Sequence, residues 1–212
     1  MAEVRVGYFL EDIAQERFLC ALVTRVAEEK GIPTDMLRHE VRNASGGEGQ
    51  AMNSLSQFLD RWRHDQVPVL DLLIVAIDGN CRSFTERRRE IENLVRERGY
   101  HGPLVCAVPD PHIERWYLAD PEGFQRALSA PEAPRCPRYK RCKYERDQYK
   151  RALRKALREA GVEAPLGGAE YGDDIVRSMD LYRAGRRDRS LKHFLDDLRE
   201  ALTLAYTTRE KR

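Results

Sequence analysis

Residues 71–80 read Asp-Leu-Leu-Ile-Val-Ala-Ile-Asp-Gly-Asn, an apolar run that ends abruptly on an acid, Asp78. A run this uniformly apolar is typical of a strand that is buried on both faces, so it predicts an interior strand of a parallel sheet. Open α/β sheets bind their ligands beyond the carboxyl ends of such strands. Asp78 is therefore the first candidate functional residue.

A second apolar run, near the N-terminus, also ends on an acid. Residues 4–11 read Val-Arg-Val-Gly-Tyr-Phe-Leu-Glu, and a helical period follows over residues 14–30. Further strands are predicted at 36–43 and 103–108, with helices between the strands, one of them at 83–98, and a late amphipathic helix is predicted at 190–203. Strands that alternate with helices predict right-handed crossovers. We therefore expect an α/β fold with a mainly parallel sheet of four to five strands and helices on both faces.

The character of the sequence changes after Pro109, because no strong strand pattern follows. We expect an α/β core over residues 1–128 and a helical extension over 129–212 that packs on this core, with a Pro-rich linker at 129–137. A chain of 212 residues is long enough for one sizeable α/β domain with such an extension.

Composition narrows the class of protein. The formal net charge is only +2 although 34% of the residues are charged, so overall charge does not by itself predict nucleic-acid binding. The five cysteines are odd in number and include no C-x-x-C pair, which favours reduced thiols and a cytoplasmic location. We expect neither secretion nor a membrane span, since signal-peptide and 18-residue apolar patterns are lacking.

The two acids at strand ends, Glu11 and Asp78, suggest a site for a hard cation. Mg²⁺ prefers a few carboxylate ligands together with water and substrate phosphate, so these acids and the Asn80 carbonyl would be a sufficient protein shell. Asp12 is a further candidate ligand. The alternatives are structural: Asp12 could complement the positive end of the first helix, and residues 78–80 could form an Asx-type turn that caps the next helix.

A helix predicted just after the fourth strand carries Glu114 to the same edge of the sheet. Glu114 is a candidate catalytic acid. A structural interpretation makes Asp110 the helix cap and places Pro111 in the first turn, and it accounts for this segment except for Glu114. We interpret His112 as a surface or hydrogen-bonded histidine rather than a catalytic one.

A helix predicted at roughly 139–160 is strongly basic. Residues 135–158 contain eleven Lys or Arg against two acids, interleaved with three tyrosines. Such a helix can neutralise a phosphate backbone and offer stacking faces, although a solvated helix face is the alternative. The candidate nucleic-acid-binding residues are Arg138, Lys140, Arg141, Lys143, Lys150, Arg151 and Arg154.

Several short motifs resemble Toprim (topoisomerase-primase) domains. The strand ending in Phe-Leu-Glu11, with Asp12 and a helix that begins Gln-Glu-Arg-Phe, resembles their opening, and the end of the 71–80 segment resembles their D-x-D strand end. Three further segments resemble the small stand-alone Toprim-like proteins found in bacterial defence loci beside ABC-type ATPases: Gly46-Gly47-Glu48-Gly49, Pro111-x-x-Glu114-x-Trp116-x-x-x-Asp120 and Ser190-Leu191-Lys192-His193-Phe194.

This resemblance implies a compact parallel sheet and phosphodiester chemistry on nucleic acid that depends on Mg²⁺ or Mn²⁺. It implies an acid/base or metal role for Glu11 and the principal metal role for Asp78. Asn80 departs from the usual second Asp, and its amide is a weaker cation ligand than a carboxylate. Acids at Glu114 and Asp12 also occur in the defence-associated group and would restore the missing charge.

We therefore expect a metal-dependent nuclease of Toprim type that cleaves DNA or RNA, the effector of an anti-phage or toxin-like system. The alternative is a catalytically weakened Toprim-like module that binds nucleic acid or a partner protein, which Asn80 favours. The expected partners are nucleic acid and an ABC-type ATPase. Whether the chain forms a homodimer is left open.

Overall fold

The computed structural model describes residues 3–44, 50–64, 69–80, 82–138 and 147–211. Its sheet has four strands, all parallel, in the order β2-β1-β3-β4. The strands are β1 (Val4–Leu10), β2 (Leu37–Asn43), β3 (Leu72–Ala76) and β4 (Leu104–Ala107). With helices on both faces of this sheet, the predicted α/β class is confirmed.

The helices fall between and after the strands. They are α1 (Ile13–Glu29), α2 (Ala51–His64), α3 (Phe84–Glu97), α4 (Ile113–Tyr117), α5 (Pro121–Leu128), α6 (Gln148–Glu159), α7 (Gly172–Ser178), α8 (Leu181–Arg187) and α9 (Arg189–Glu210). In the described part of the chain, none of these helices is long and apolar enough to cross a membrane.

Side chains alternate between two hydrophobic clusters, one on each face of the sheet. Tyr8 and Ile74 belong to the cluster that contains residues of α1 and α9, whereas Phe9 and Val75 belong to the cluster that contains residues of α2 and α3. β3 is buried along its whole length, as its uniform apolar composition predicted.

The C-terminal helix covers the sheet directly. α9 contacts β1, β3 and β4, and its buried Leu198 and Leu202 share one hydrophobic cluster with the strands. Arg209, near the end of α9, donates from Nε to Asp71 Oδ1 at 2.7 Å, just before β3 begins. Part of the predicted extension 129–212 is therefore a layer of the core, while the boundary at residue 128 stays a prediction.

The strand order creates a crevice between β1 and β3. The chain leaves β1 through α1 to reach β2, and it returns through α2 to β3 on the other side of β1. α1 and α2 lie on opposite faces of the sheet. In doubly wound sheets this arrangement opens a ligand-binding crevice beyond the carboxyl ends of the two adjacent strands.

Candidate functional site

Glu11 and Asp78 lie side by side at this crevice. The backbone N–H of Asp78 donates to Glu11 Oε2 at 2.8 Å. Glu11 in turn donates its own N–H to the Ala76 carbonyl at 3.0 Å, which extends the pairing of β1 with β3 by one residue. The structure thus brings together the two strand-end acids that the sequence predicted.

Gln15 connects these two acids. Its side-chain Nε2 donates to Asp78 Oδ1 at 3.0 Å, and its side-chain Oε1 accepts from the Glu11 N–H at 3.0 Å. The side chain is fully buried. Sequence reasoning missed Gln15, although a polar residue on the same buried stripe of α1 as Phe18 and Leu22 was a usable signal.

His112 is the second residue that holds Asp78. It is only 4% exposed, and its Nδ1 lies 3.1 Å from Asp78 Oδ2. Burial lowers the pKa of His112, but the hydrogen bond and negative charge of Asp78, with the charge of Glu114, outweigh burial and leave the pKa raised. Of the two interpretations of His112, the hydrogen-bonded one is confirmed and the surface one is wrong.

Glu114 is a third acidic residue near Asp78. It lies in the first turn of α4 and is 9% exposed, and its Oε2 atom is buried without a hydrogen-bond partner among the described residues. Burial, and then the negative charge of Asp78, raise its pKa. Glu114 therefore lies close enough to Asp78 for the two charges to interact, as the sequence predicted.

Asp12 and Asn80 both take part in local structure. Asp12 is the N-cap of α1, where its Oδ1 accepts from the Ala14 N–H at 3.1 Å. Asn80 has a left-handed backbone with φ of 51°, and its Nδ2 lies 3.5 Å from the carbonyl of Asp78. These contacts give both side chains a local structural role, and a metal role for either residue stays a prediction.

Two predicted helix caps are wrong. Ser83, rather than a residue of the 78–80 turn, caps α3, because its hydroxyl accepts from the Glu86 N–H while Glu86 accepts from the Ser83 N–H. His112, rather than Asp110, occupies the N-cap position of α4. The 78–80 turn instead contacts the loop after β4, since Gly79 and Asn80 donate their N–H groups to the carbonyls of Pro109 and Pro111.

A buried polar cluster attaches the loop after β4 to the start of α9. Ser190 Oγ accepts from Trp116 Nε1 at 2.9 Å and from the Asp110 N–H at 3.3 Å, and it donates to Asp188 Oδ1 at 2.6 Å. Asp188 also pairs with Arg115 at 3.1 Å. The cluster connects Trp116 and Ser190, which belong to two of the segments that resemble Toprim-like proteins. It thereby fixes the loop after β4 and the start of α4, where His112 and Glu114 lie.

A cleft of about 280 Å³ is lined by Glu114 and Asp12, but not by Glu11 or Asp78. α6 contributes two cations to it, Lys150 and Arg154, which lie one helical turn apart. The complete lining consists of Asp12, Ala14, Glu114, Tyr117, Lys150, Leu153, Arg154, Pro165, Leu166, Gly167 and Ala169. The positive charge of Lys150 lowers the pKa of Glu114, but burial and the charge of Asp78 outweigh this effect and leave the pKa raised.

The other predicted nucleic-acid-binding residues have different positions. Arg151 is exposed and lies outside the lining of this cleft, and Arg138 lines a separate cleft beside Arg115 and Arg187. Lys140, Arg141 and Lys143 lie outside the described residues, as does the predicted Gly-rich loop at 46–49. Within the described part of the chain, the basic helix begins at Gln148.

The donor chemistry at the crevice fits a hard divalent cation. Carboxylate oxygens are the ligands that Mg²⁺ and Mn²⁺ prefer, and Mg²⁺ often takes only one or two of them while keeping several waters. Glu114 Oε2 offers a buried oxygen that lacks a hydrogen-bond partner among the described residues. No three His, Cys, Asp or Glu residues in the described ranges are arranged as a metal-binding group, so the cation stays a prediction.

Comparisons of the chain with known protein families, with curated proteins and with solved structures found no match. The relation to Toprim domains therefore stays a resemblance carried by the quoted motifs.

Proposed function

We propose that this chain is a metal-dependent nuclease of Toprim type, which hydrolyses phosphodiester bonds in DNA or RNA. The observation that carries the proposal is the contact of Glu11 with the Asp78 backbone at the ends of β1 and β3, with Glu114 close enough to Asp78 for their charges to interact. Glu114 in turn lines a cleft with the cations Lys150 and Arg154. A phosphodiester bound with a divalent cation would complement this pattern, because the carboxylates would hold the cation and the basic side chains would contact the phosphate.

Each residue has a distinct role in this proposal. Glu11 and Asp78 would hold Mg²⁺ or Mn²⁺, which when bound would supply charge stabilisation at the scissile phosphate. Gln15 and His112 orient the Asp78 carboxylate through its two oxygens. Glu114 exchanges a proton with the attacking water, a role that a raised carboxyl pKa suits.

Cleavage of end-labelled DNA and RNA strands by the purified chain tests this proposal, with Mg²⁺, Mn²⁺ or a chelator added. We expect Glu11→Gln and Asp78→Asn to lower the cleavage rate by at least about 100-fold, since each removes a charge from the cation site. Asp60→Asn is the matched control, because Asp60 pairs with Arg98 and neither residue lines the cleft. Full cleavage by both site variants, or cleavage that survives the chelator, would contradict the proposal.

A binding module without turnover is the second candidate, and Asn80 favours it. The hydrogen bond of its side chain stays within the 78–80 turn, and its amide cannot supply the charge of a second carboxylate. This candidate predicts nucleic-acid binding that a chelator does not change and no cleavage with any metal. Asn80→Asp separates the two candidates: a gain of cleavage supports a weakened nuclease, and no gain supports a binding module.

The resemblance alone supports the proposed setting of this activity. It places the chain in an anti-phage or toxin-like system, with an ABC-type ATPase as its partner protein. Co-purification of the chain with the ATPase encoded beside it tests this part of the proposal. Separate elution of the two proteins, with and without ATP, would count against it.

A further inference from the structure

The cleft beside Glu114 has an apolar rim that faces solvent. Leu166 lines the cleft and is 50% exposed. Ile13, which lies between the lining residues Asp12 and Ala14, is 54% exposed. Isolated exposed apolar side chains are common. In the described part of the chain, however, only five large hydrophobic side chains are this exposed, and one of them, Leu166, lines this cleft.

The exposure of Leu166 is fixed by the backbone that carries it. The Glu170 carboxylate accepts from the N–H of Leu166 at 3.2 Å and from the N–H of Gly168 at 3.0 Å. Gly167 and Gly168 both have positive φ, a conformation that glycine adopts readily. Glu170 thus holds this short loop in one shape, with Leu166 presented to the cleft.

The cleft therefore combines three kinds of surface. Lys150 and Arg154 supply positive charge, Leu166 supplies an apolar surface, and Glu114 supplies a carboxyl group. A ligand that matches all three has an anionic group, an exposed flat apolar face and a hydrogen-bond donor. A nucleotide has these features when its base is unpaired and unstacked, whereas a duplex hides its base faces by stacking.

We infer that this cleft takes one unpaired nucleotide, so that the substrate is single-stranded nucleic acid. The inference rests on the proposed function for the identity of the ligand, and it adds the strandedness of that ligand. The cleft volume, about 280 Å³, lies just below the range for ligand pockets, about 300–1,000 Å³. It suits a single nucleotide rather than a double helix.

Binding measured in the presence of a chelator tests the inference without turnover. The probes are fluorescent oligothymidylate, oligouridylate and a hairpin duplex of matched length, each titrated with the full chain. We expect both single strands to bind more tightly than the duplex. Leu166→Ala should weaken single-strand binding by about three- to tenfold, the loss expected for one or two buried methylene groups, and should leave duplex binding unchanged.

Two further variants sharpen this test. Leu204→Ala is the matched control, because Leu204 on α9 is 56% exposed and does not line the cleft. Leu166→Trp enlarges the apolar face and should tighten single-strand binding, which shows that the effect does not come from damage to the fold. If only one of the two single strands binds, the chain also distinguishes the sugar or the base of that strand from those of the other.

The outcomes distinguish this inference from the proposed function. Duplex binding as tight as single-strand binding, or unchanged binding by both Leu166 variants, overturns the inference even if the chain cleaves DNA. Single-strand binding that depends on Leu166, in a chain that never cleaves, supports the inference and contradicts the nuclease.

Discussion

Glu114 lowers the stability of the fold at neutral pH, because its buried carboxyl has a raised pKa. In the pH range between its ordinary pKa and the raised one, the folded state binds more protons than the unfolded state, so stability falls as pH rises through this range. Glu114→Gln removes that dependence. We expect a higher free energy of unfolding at neutral pH and a gain that disappears as the pH falls below the ordinary glutamate value.

Urea unfolding at a series of pH values measures this effect. The exposed Glu97→Gln on α3 is the control, and its curve should follow that of the unmodified chain. If the Glu114 variant and the unmodified chain are equally stable at every pH, the buried charge does not lower the free energy of unfolding, and the prediction is wrong. A stability gain together with lost cleavage is what we expect of an acid kept for function.

At the residue scale, the sequence predicted the acids but not the groups that orient them. Glu11 and Asp78 end apolar strands, so their position follows from strand periodicity and the direction of the chain. Gln15 was missed, and the partner of His112 was not specified, because both roles depend on which side chains face Asp78, and local pattern does not contain that information.

At the scale of elements, the attachment of the β4–α4 loop to α9 controls the geometry of the site. Ser190→Ala removes one hydroxyl that serves Trp116, Asp110 and Asp188. Because buried polar groups that lose a partner each cost about 1–3 kcal/mol, we expect the free energy of unfolding to fall by at least about 1–3 kcal/mol. We also expect slower cleavage, since the loop carries His112 and Glu114.

Urea unfolding reports on this change, as does the fluorescence of Trp116 when Trp62, the other tryptophan of the chain, is replaced by Phe in both proteins compared. Ser56→Ala, at a partly exposed position on α2, is the matched control and should alter neither property. Unchanged stability and unchanged fluorescence in the Ser190 variant would show that the cluster does not hold the loop.

Helix positions followed from apolar periodicity, but their ends followed less well. α1 and α3 were predicted at 14–30 and 83–98, close to their observed bounds. α9 was predicted at 190–203 and extends to Glu210, because Ala205 still packs in the core and Arg209 still reaches Asp71. Helix ends depend on such tertiary contacts, which short periodic patterns do not specify.

At the scale of the whole molecule, apolar runs predicted a parallel sheet, while the order of its strands depends on packing between distant segments. The position of β1 between β2 and β3 determines where the crevice opens. The covering of one sheet face by α9, more than 80 residues after β4, likewise comes from long-range packing. A helical extension was predicted, but its last helix is an integral layer of the core.

Leu198→Ala tests whether α9 is part of one cooperative unit. Leu198 is fully buried in the cluster that contains the strands, so its truncation leaves a cavity over the sheet and should cost about 2–5 kcal/mol. Urea unfolding followed by circular dichroism and by tryptophan fluorescence should show one transition, shifted to lower urea for both probes. Leu204→Ala, on the exposed face of the same helix, should change the free energy of unfolding by less than about 0.5 kcal/mol. Two separate transitions, with only the earlier one moved by Leu198→Ala, would mean that residues 129–212 unfold as a domain of their own.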